Sequence, residues 1–268
     1  MRPFLLLSSP FLPLFFVSAL GQSTTTPPKG TTAAGQSTSS SAADYSAEPI
    51  VLERLDGVYK MAADGTGSRL TTIVARVQSE AAAKQLGIVG VAYASSSEHV
   101  EFSYVRVRHL DGTVTETPVS DAIDMPSPVT REAPFYSDLK QMQVPVRSLR
   151  VGDTLEWQAK SVRTKAEASG QFWGAETFTE DAVVLSQTLE LRVPKDTYVN
   201  VWSPKNKPAE TVDGVERVFR WVSSQKKPTV GKDADAEKEF AAEIIAAKLD
   251  FESLKAALTS MPLKKGKN

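Results

Sequence analysis

The chain has 268 residues, of which 41% are hydrophobic and 24% are charged, proportions that are ordinary for a soluble globular protein. Its formal net charge of -1, with no basic stripe along the sequence, argues against nucleic acid as a partner. The absence of cysteine excludes disulfide bonds, a thiolate nucleophile and a lipid-modified cysteine anchor.

Residues 1–21 have the pattern of a secretory signal peptide. Arg2 supplies the positive charge, Phe4 to Leu20 is largely apolar, and Ala19-Leu20-Gly21 fits a small-residue cleavage site. An uncleaved membrane anchor is the alternative, but Pro10 and Pro13 interrupt an apolar run that is short for a membrane span. We therefore expect cleavage after Gly21 and a protein of the periplasm or the cell exterior, with no membrane contact after cleavage.

Residues 22–46 are rich in Ser, Thr, Ala and Gly. Such a segment buries too little apolar surface to offset the loss of chain entropy on folding. It is predicted to be a disordered linker, so the folded domain should begin near residue 47.

Residues 47–225 are dominated by the alternation of apolar and polar residues that is typical of β-strands. Leu155 to Lys160 alternates without a break, and Leu189, Leu191 and Val193 share one face of another candidate strand. Asp-Gly pairs, which favour tight hairpin turns, separate such segments at Asp64-Gly65, Asp111-Gly112 and Asp213-Gly214. The pattern predicts an all-β domain, an antiparallel sandwich of two packed sheets.

One short helix is predicted inside this domain, over Ser79 to Leu86. Ser79 is suited to capping the first turn, the alanines that follow favour a helix, and Gly87 can end it. The expected sandwich therefore carries a single internal helix.

Residues 226–268 change character, to a charged linker followed by a helical pattern. Apolar residues recur there at spacings of three and four: Phe240, Ile244, Ala247, Phe251, Leu254 and Leu258. This spacing predicts a C-terminal amphipathic helix that ends near Pro262. Its apolar stripe would pack on the sandwich or on a missing neighbour; homo-oligomerisation is the alternative, and the oligomeric state stays open.

Two motifs lie close together in the middle of the domain. The first is Tyr136-Ser137-Asp138, within Arg131 to Leu139, and the second is Gly152-Asp153-Thr154-Leu155-Glu156-Trp157. Other segments flank them in a fitting order: Val105 to Val114, Gly170 to Trp173, and Val193 to Asp196. Together they resemble domain of unknown function 3857, over about Ile50 to Val222.

The resemblance implies a secreted bacterial β-sandwich module of the kind that usually precedes a transglutaminase-like domain. That catalytic domain carries a cysteine nucleophile, whereas this chain has no cysteine and continues after Trp221 with a linker and one predicted helix. The implied protein is either a stand-alone module or one truncated before its catalytic half.

The first motif holds the densest group of polar and aromatic residues. Arg131, Glu132, Tyr136 and Asp138 would form a recognition edge in which the Arg131 guanidinium offers two donors to a carboxylate. The alternative is a loop pinned by its own hydrogen bonds, with Tyr136 buried. Trp173 is the tryptophan most suited to a binding rim, since Trp157 and Trp221 lie on apolar strand faces and are expected in the core.

Catalytic residues, metals and cofactors are not predicted. A serine triad needs a histidine, and the two histidines of the chain, His99 and His109, are expected to be a solvated residue and a half-buried strand residue. Zinc sites need three or four ligands, which two histidines and no cysteine are poorly suited to supply. No glycine-rich nucleotide loop joins a strand to a helix.

The sequence therefore leads to an exported, non-catalytic β-sandwich module that docks a protein partner, with a transglutaminase-like or peptidase domain as the candidate partner. A binding module for envelope glycan or peptide is one alternative. A transglutaminase-like protein that lacks its catalytic half is the other, and fold class alone does not choose among the three.

Overall fold

A computed structural model describes residues 45–132, 137–179 and 182–226, together with the strand Ala241–Ala246. The predicted signal peptide and nearly all of the predicted linker lie outside these residues. The strands are β1 (Ile50–Met61), β2 (Gly67–Val77), β3 (Ile88–Ala94), β4 (Glu98–Arg108), β5 (Val114–Thr117), β6 (Ile123–Pro126), β7 (Leu139–Pro145), β8 (Thr154–Arg163), β9 (Phe172–Thr177), β10 (Val183–Pro194), β11 (Asn200–Trp202), β12 (Ala209–Asp213), β13 (Glu216–Gln225) and β14 (Ala241–Ala246). The helices are α1 (Glu80–Gln85), α2 (Pro128–Glu132) and a 3₁₀ turn at Val119–Asp121.

The described strands form two packed layers. The first layer is an eight-stranded sheet in the order β12-β13-β10-β1-β2-β8-β4-β5. The second layer consists of two three-stranded sheets, β3-β7-β6 and β11-β14-β9. The prediction of an all-β fold is confirmed. The prediction of a wholly antiparallel sandwich is wrong for β1 and β10, which run parallel, because the long stretch from β2 to β9 forms the crossover that parallel neighbours require.

Both small sheets cover the same face of the large sheet, which we call the inner face. Leu55 pairs with Ile73 and Tyr59 pairs with Arg69, so the two ends of β1 present the same face by strand alternation. One core packs against β3 and β7 and includes Leu52, Ile73, Val89, Val144 and Trp157. The other packs against β9 and β11 and includes Tyr59, Leu191, Phe172 and Trp221. No sheet formed by the described residues covers the opposite, outer face.

Local signals in the sequence produce the expected turns and the expected helix α1, but the prediction of a single internal helix is wrong, because α2 is a second short helix in the domain. The Ser79 side chain caps α1 by accepting a hydrogen bond from the Ala82 amide at 3.1 Å, as predicted. Gly65, Gly112 and Gly214 adopt positive φ angles of 86°, 83° and 61°, which confirms the three Asp-Gly turns. Trp157 and Trp221 are buried, as expected from their positions on apolar strand faces.

The predicted C-terminal amphipathic helix is wrong for Ala241–Ala246, which form strand β14. The remainder of that prediction, residues 247–268, lies outside the described residues. β14 pairs with β9 on one side and with β11 on the other. Because both neighbours satisfy its backbone donors and acceptors, tertiary pairing overrides the helical spacing of the sequence.

Charged side chains lie on the inner face between the two cores. The Arg163 Nε donates to the Glu98 carboxylate at 3.1 Å, with both side chains 2% exposed or less. Nearby, Arg69 forms an ion pair with Glu176 at 2.9 Å, and the Tyr59 hydroxyl donates to the same carboxylate. Burial raises the pKa of both Glu98 and Tyr59. The Glu98–Arg163 pair joins β4 and β8 within the large sheet, whereas the Arg69–Glu176 pair joins β2 of the large sheet to β9 of the second layer.

Replacing Glu98 should destabilise the fold far more than replacing an exposed glutamate of the same strand. Glu98→Ala removes a carboxylate that neutralises the buried Arg163 guanidinium, which should cost about 3–5 kcal/mol of unfolding free energy. Urea denaturation measures this, with Glu101→Ala as the control because the Glu101 side chain is 73% exposed on the opposite face. That control should change stability by about 0.5 kcal/mol or less. Equal effects of the two variants would contradict the structural importance of the pair.

Candidate functional site

A groove of about 430 Å³ lies on the outer face of the large sheet, beside the hairpin that joins β4 to β5. Its lining combines two arginines, a glutamate and residues with small side chains: Arg106, Arg108, Gly112, Val114, Thr154 and Glu156. Three elements contribute these residues, namely β4, the β4–β5 hairpin with β5, and the start of β8. The groove is therefore built across strands that the sequence separates by some fifty residues.

Glu156 organises the floor of the groove. Alternation along β8 buries Leu155 and Trp157 in the core and leaves Glu156 on the outer face, opposite Arg106 of β4. The Glu156 carboxylate accepts hydrogen bonds from Arg106 Nε at 3.0 Å and Arg106 Nη2 at 2.9 Å. It also accepts one from the Tyr104 hydroxyl at 3.0 Å. These charge-assisted bonds hold the Arg106 guanidinium in one orientation.

The two arginines of the groove differ in how much of their hydrogen-bonding capacity is used. The hydrogen bonds that Arg106 donates to Glu156 raise the pKa of Arg106, so the Glu156 carboxylate balances the Arg106 charge inside the protein. Arg108 Nη2 lies 3.9 Å from the Glu156 carboxylate, too far for a hydrogen bond, and its side chain is 63% exposed. Arg108 can therefore offer a bidentate pair of donors to a ligand carboxylate.

The β4–β5 hairpin, which forms one wall of the groove, has a well-defined turn. Gly112 takes the left-handed conformation, and the Asp111 carboxylate accepts hydrogen bonds from the Thr113 amide at 2.9 Å and hydroxyl at 2.7 Å. Both bonds lower the pKa of Asp111. The Leu110 side chain packs against Gly152. A Cβ atom added to Gly152 would lie 2.6 Å from the Cδ1 atom of Leu110. Gly152 also has a φ angle of 91°, which favours glycine, and Leu110 of the hairpin packs against it, directly on the loop that precedes β8.

Asp153 connects this hairpin to the start of β8. Its carboxylate is buried and lies 3.0 Å from His109 Nδ1, and it accepts a hydrogen bond from the Arg150 amide at 2.8 Å. On the other side of the ring, His109 Nε2 lies 2.9 Å from the Thr115 hydroxyl. An ionised carboxylate only accepts, so Nδ1 donates to Asp153 and Nε2 accepts from Thr115.

The Asp153–His109–Thr115 chain has the hydrogen-bond order of a Ser-His-Asp triad, but its hydroxyl is on the wrong face for the groove. Thr115 pairs with Val107 and shares its inner side, whereas the groove opens on the outer side, lined by Arg108 and Val114. A nucleophile must meet its substrate in a cavity. The arrangement is therefore best explained as a staple that fixes the hairpin.

The structure places the described members of the predicted interaction set on separate elements. Arg131 and Glu132 are exposed at the end of α2, and Tyr136 lies outside the described residues. Asp138 accepts a hydrogen bond from the Ser96 amide at 2.8 Å, which lowers its pKa and ties it to the β3–β4 turn. Trp173 is half-buried on β9, and its indole N–H has no hydrogen-bond partner among the described residues.

The described residues of the first motif and its flanks are linked by hydrogen bonds to each other and to the β3–β4 turn. The Thr130 hydroxyl donates to the Leu139 carbonyl at 2.7 Å and lies 2.9 Å from the Ser137 hydroxyl. The Ser95 hydroxyl donates to the Asp138 carbonyl at 2.8 Å. These bonds support the pinned-loop interpretation for the described part of this motif.

Sequence reasoning missed the groove. The alternation of Arg106 and Arg108 with valines, and of Glu156 with Leu155 and Trp157, shows that these side chains share the polar faces of their strands. What the sequence does not reveal is that β4 and β8 are neighbours, with Arg106 opposite Glu156. Only that register brings the charges together.

The described residues lack two kinds of feature, a cluster of metal ligands and a membrane-spanning helix. No group of three or more His, Asp or Glu side chains in that part of the chain is arranged to hold a metal ion. Within the same residues, no helix has the length and apolar character needed to cross a membrane.

Removing the Asp153 carboxylate should loosen the hairpin that walls the groove. Asp153→Ala leaves the half-buried His109 ring and the Arg150 amide without their acceptor, at a cost of about 1–3 kcal/mol. Chemical denaturation and amide hydrogen exchange in β5 measure the effect. Asp196→Ala, at an exposed turn position, is the control. Unchanged stability and exchange in Asp153→Ala would show that the staple does not hold the hairpin.

Solved structures with similar folds include larger proteins. A putative protease from Parabacteroides distasonis matches with a TM-score of 0.66 and 17% identity, over 75% of this chain and 41% of that one. An M1 zinc metallopeptidase from Deinococcus radiodurans matches with a TM-score of 0.39 and 10% identity, over 74% of this chain and 42% of that one. The first likeness shows the fold alone, and the second is too distant to carry an argument.

This chain spans less than half the length of either of these proteins. No curated protein matches it as a relative. The family model of DUF3857, a domain of unknown function with a solved structure, matches residues 63–230, which is more than half of the chain. The chain therefore belongs to the DUF3857 family.

Proposed function

We propose that the chain is an exported, non-catalytic accessory module that docks a protein partner through the outer-face groove. The observation that carries the proposal is the difference between the two arginines: Glu156 holds Arg106, while Arg108 keeps donors for a ligand. A pre-oriented charged floor, beside an exposed guanidinium that makes only a long ion pair with Glu156, is suited to recognising a carboxylate on a partner.

Apolar surface beside the groove supports docking of a protein rather than of a small anion. Leu110, Val114 and Val151 are 81%, 52% and 40% exposed around the hairpin. Protein interfaces combine an apolar centre with arginine and a polar rim, and this surface has both components. The stapled hairpin would hold them in place before the partner arrives, which lowers the entropic cost of binding.

A peptidase or transglutaminase-like domain is the partner that we propose. The likeness to a putative protease supports this proposal, because more than half of that protein lies outside the part similar to this chain and could contain such a domain. Export is proposed from the signal-like residues 1–21. The partner would then meet the module in the periplasm or outside the cell.

Reversing the charge of Arg108 should abolish partner capture. Wild-type protein, Arg108→Glu and the control Lys160→Glu would be used as baits on periplasmic extract of the source cells, followed by quantitative mass spectrometry. Lys160 is exposed on the same outer face of β8, four residues beyond Glu156 and about 13 Å along the strand. The specific partner should fall by about tenfold or more with Arg108→Glu only, which corresponds to about 1.4 kcal/mol.

Two results would overturn this function. Equal capture by Arg108→Glu and the wild type, with unchanged circular dichroism, would remove the groove as the docking site. Hydrolysis of peptide or ester substrates by the isolated chain, lost in Thr115→Val, would replace docking by catalysis at the Asp153–His109–Thr115 chain.

A further inference from the structure

We propose that the occupant of the groove is an extended peptide that adds as an antiparallel strand to β5 and places a carboxylate on Arg108. This inference rests on the proposed docking function and specifies its chemistry. It also defines a short pattern in the partner: a basic residue, any residue, then an acidic residue.

Among the described residues no strand pairs with the edge of β5 that faces away from β4, and this edge provides the backbone contacts. β5 is the last strand of the large sheet and pairs with β4 on one side. The His109 amide donates to the Thr113 carbonyl at 2.9 Å, and hydrogen-bonded pairs alternate along an antiparallel ladder. The backbone groups of Val114 and Glu116 therefore point away from β4. They can pair with an added strand, as in other cases of β-augmentation.

The edge admits only a short segment. β5 covers four residues, Val114–Thr117, and Pro118 follows it directly. Proline has no amide hydrogen to donate and ends the ladder. An added strand can therefore pair over about four residues, or about 13 Å. Such a length suits a peptide segment better than the edge of a whole sheet.

The side chains around this edge set the register of the peptide. Val114 lies directly opposite Arg108, and Glu116 lies opposite Arg106. An added strand would lie two strand spacings from β4, about 9.6 Å, so the exposed Arg108 side chain would turn from Glu156 across Val114 to meet an acidic side chain of the peptide. A peptide acidic residue beside Val114 would meet Arg108. The same residue beside Glu116 would meet a like charge, whereas a basic residue there forms a favourable cross-strand pair.

Antiparallel addition fixes the order of the two charges. β5 runs from Val114 to Glu116, so an antiparallel peptide passes Glu116 first and Val114 two residues later. The basic residue therefore precedes the acidic one. The residue between them points toward the inner side, where a β-branched side chain suits a strand.

The test uses the synthetic peptide N-acetyl-Ser-Lys-Val-Glu-Val-Ser-amide, titrated into the full chain by isothermal calorimetry. Binding should weaken about tenfold when the peptide glutamate becomes glutamine or when the two charges exchange places. Arg108→Glu should abolish binding, while Lys160→Glu should not change it. The Arg108→Glu variant should regain affinity for a peptide with lysine at the glutamate position.

Backbone methylation of the peptide tests strand addition without altering the protein. The glutamate amide of the peptide faces β5 in the proposed register, and the amide of the central valine faces away. N-methylation at the glutamate should abolish binding, and N-methylation at the central valine should leave binding within about twofold.

Outcomes separate this inference from the proposed function. No binding, equal binding of the glutamine peptide, equal effects of the two N-methyl groups, or preference for the exchanged charges would overturn strand addition. If partner capture still depended on Arg108 in that case, the docking function would stand alone. If partner capture were also independent of Arg108, both the strand addition and the docking function would be contradicted.

Discussion

The position of Asp153 is the constraint on which the groove depends. Its carboxylate holds His109 of the hairpin and the Arg150 amide of the preceding loop. Its carbonyl accepts a hydrogen bond from the Val77 amide at 2.9 Å, at the end of β2. A buried carboxylate without these partners would be costly, so the three segments meet in one arrangement. β8 then starts at the place that puts Glu156 opposite Arg106.

The two faces of the large sheet use charge in different ways. On the inner face, Glu98 forms a buried ion pair with Arg163, and Arg69 forms a half-buried ion pair with Glu176. The first pair joins two strands of the large sheet, the second joins the two layers, and no ligand is needed to explain either. On the outer face, the charge of Arg108 is exposed beside apolar surface. In our proposal the same residue type therefore serves the fold on one face and recognition on the other.

Much of the fold could be predicted from local patterns. Period-two alternation placed Trp157 and Trp221 in the core, Asp-Gly pairs marked the turns at Gly65, Gly112 and Gly214, and Ser79 marked the start of α1. These signals are local because each depends on the chemistry of a few neighbouring residues.

Non-local pairing was beyond the reach of these patterns. The parallel contact of β1 with β10 and the strand formed by Ala241–Ala246 both depend on edges supplied by distant segments. The groove has the same origin, because Arg106 and Glu156 meet only through the register of β4 and β8. The sequence motif around Asp138 led to the prediction of a recognition edge, whereas the described hydrogen bonds there join α2 to β7 and Asp138 to the β3–β4 turn. The second motif contains Asp153 and Glu156, and it positions the candidate site.

Hydrogen exchange of the chain in complex with its captured partner tests the central claim most directly, because it maps the docking surface without a mutation. The account predicts that the partner slows exchange in Val114–Thr117 and in the β4–β5 hairpin, with little change in α2 and β9. Protection confined to the segment around Arg131 and Asp138 or to Trp173, with none in β5, would contradict it and restore the surface that the first motif predicts.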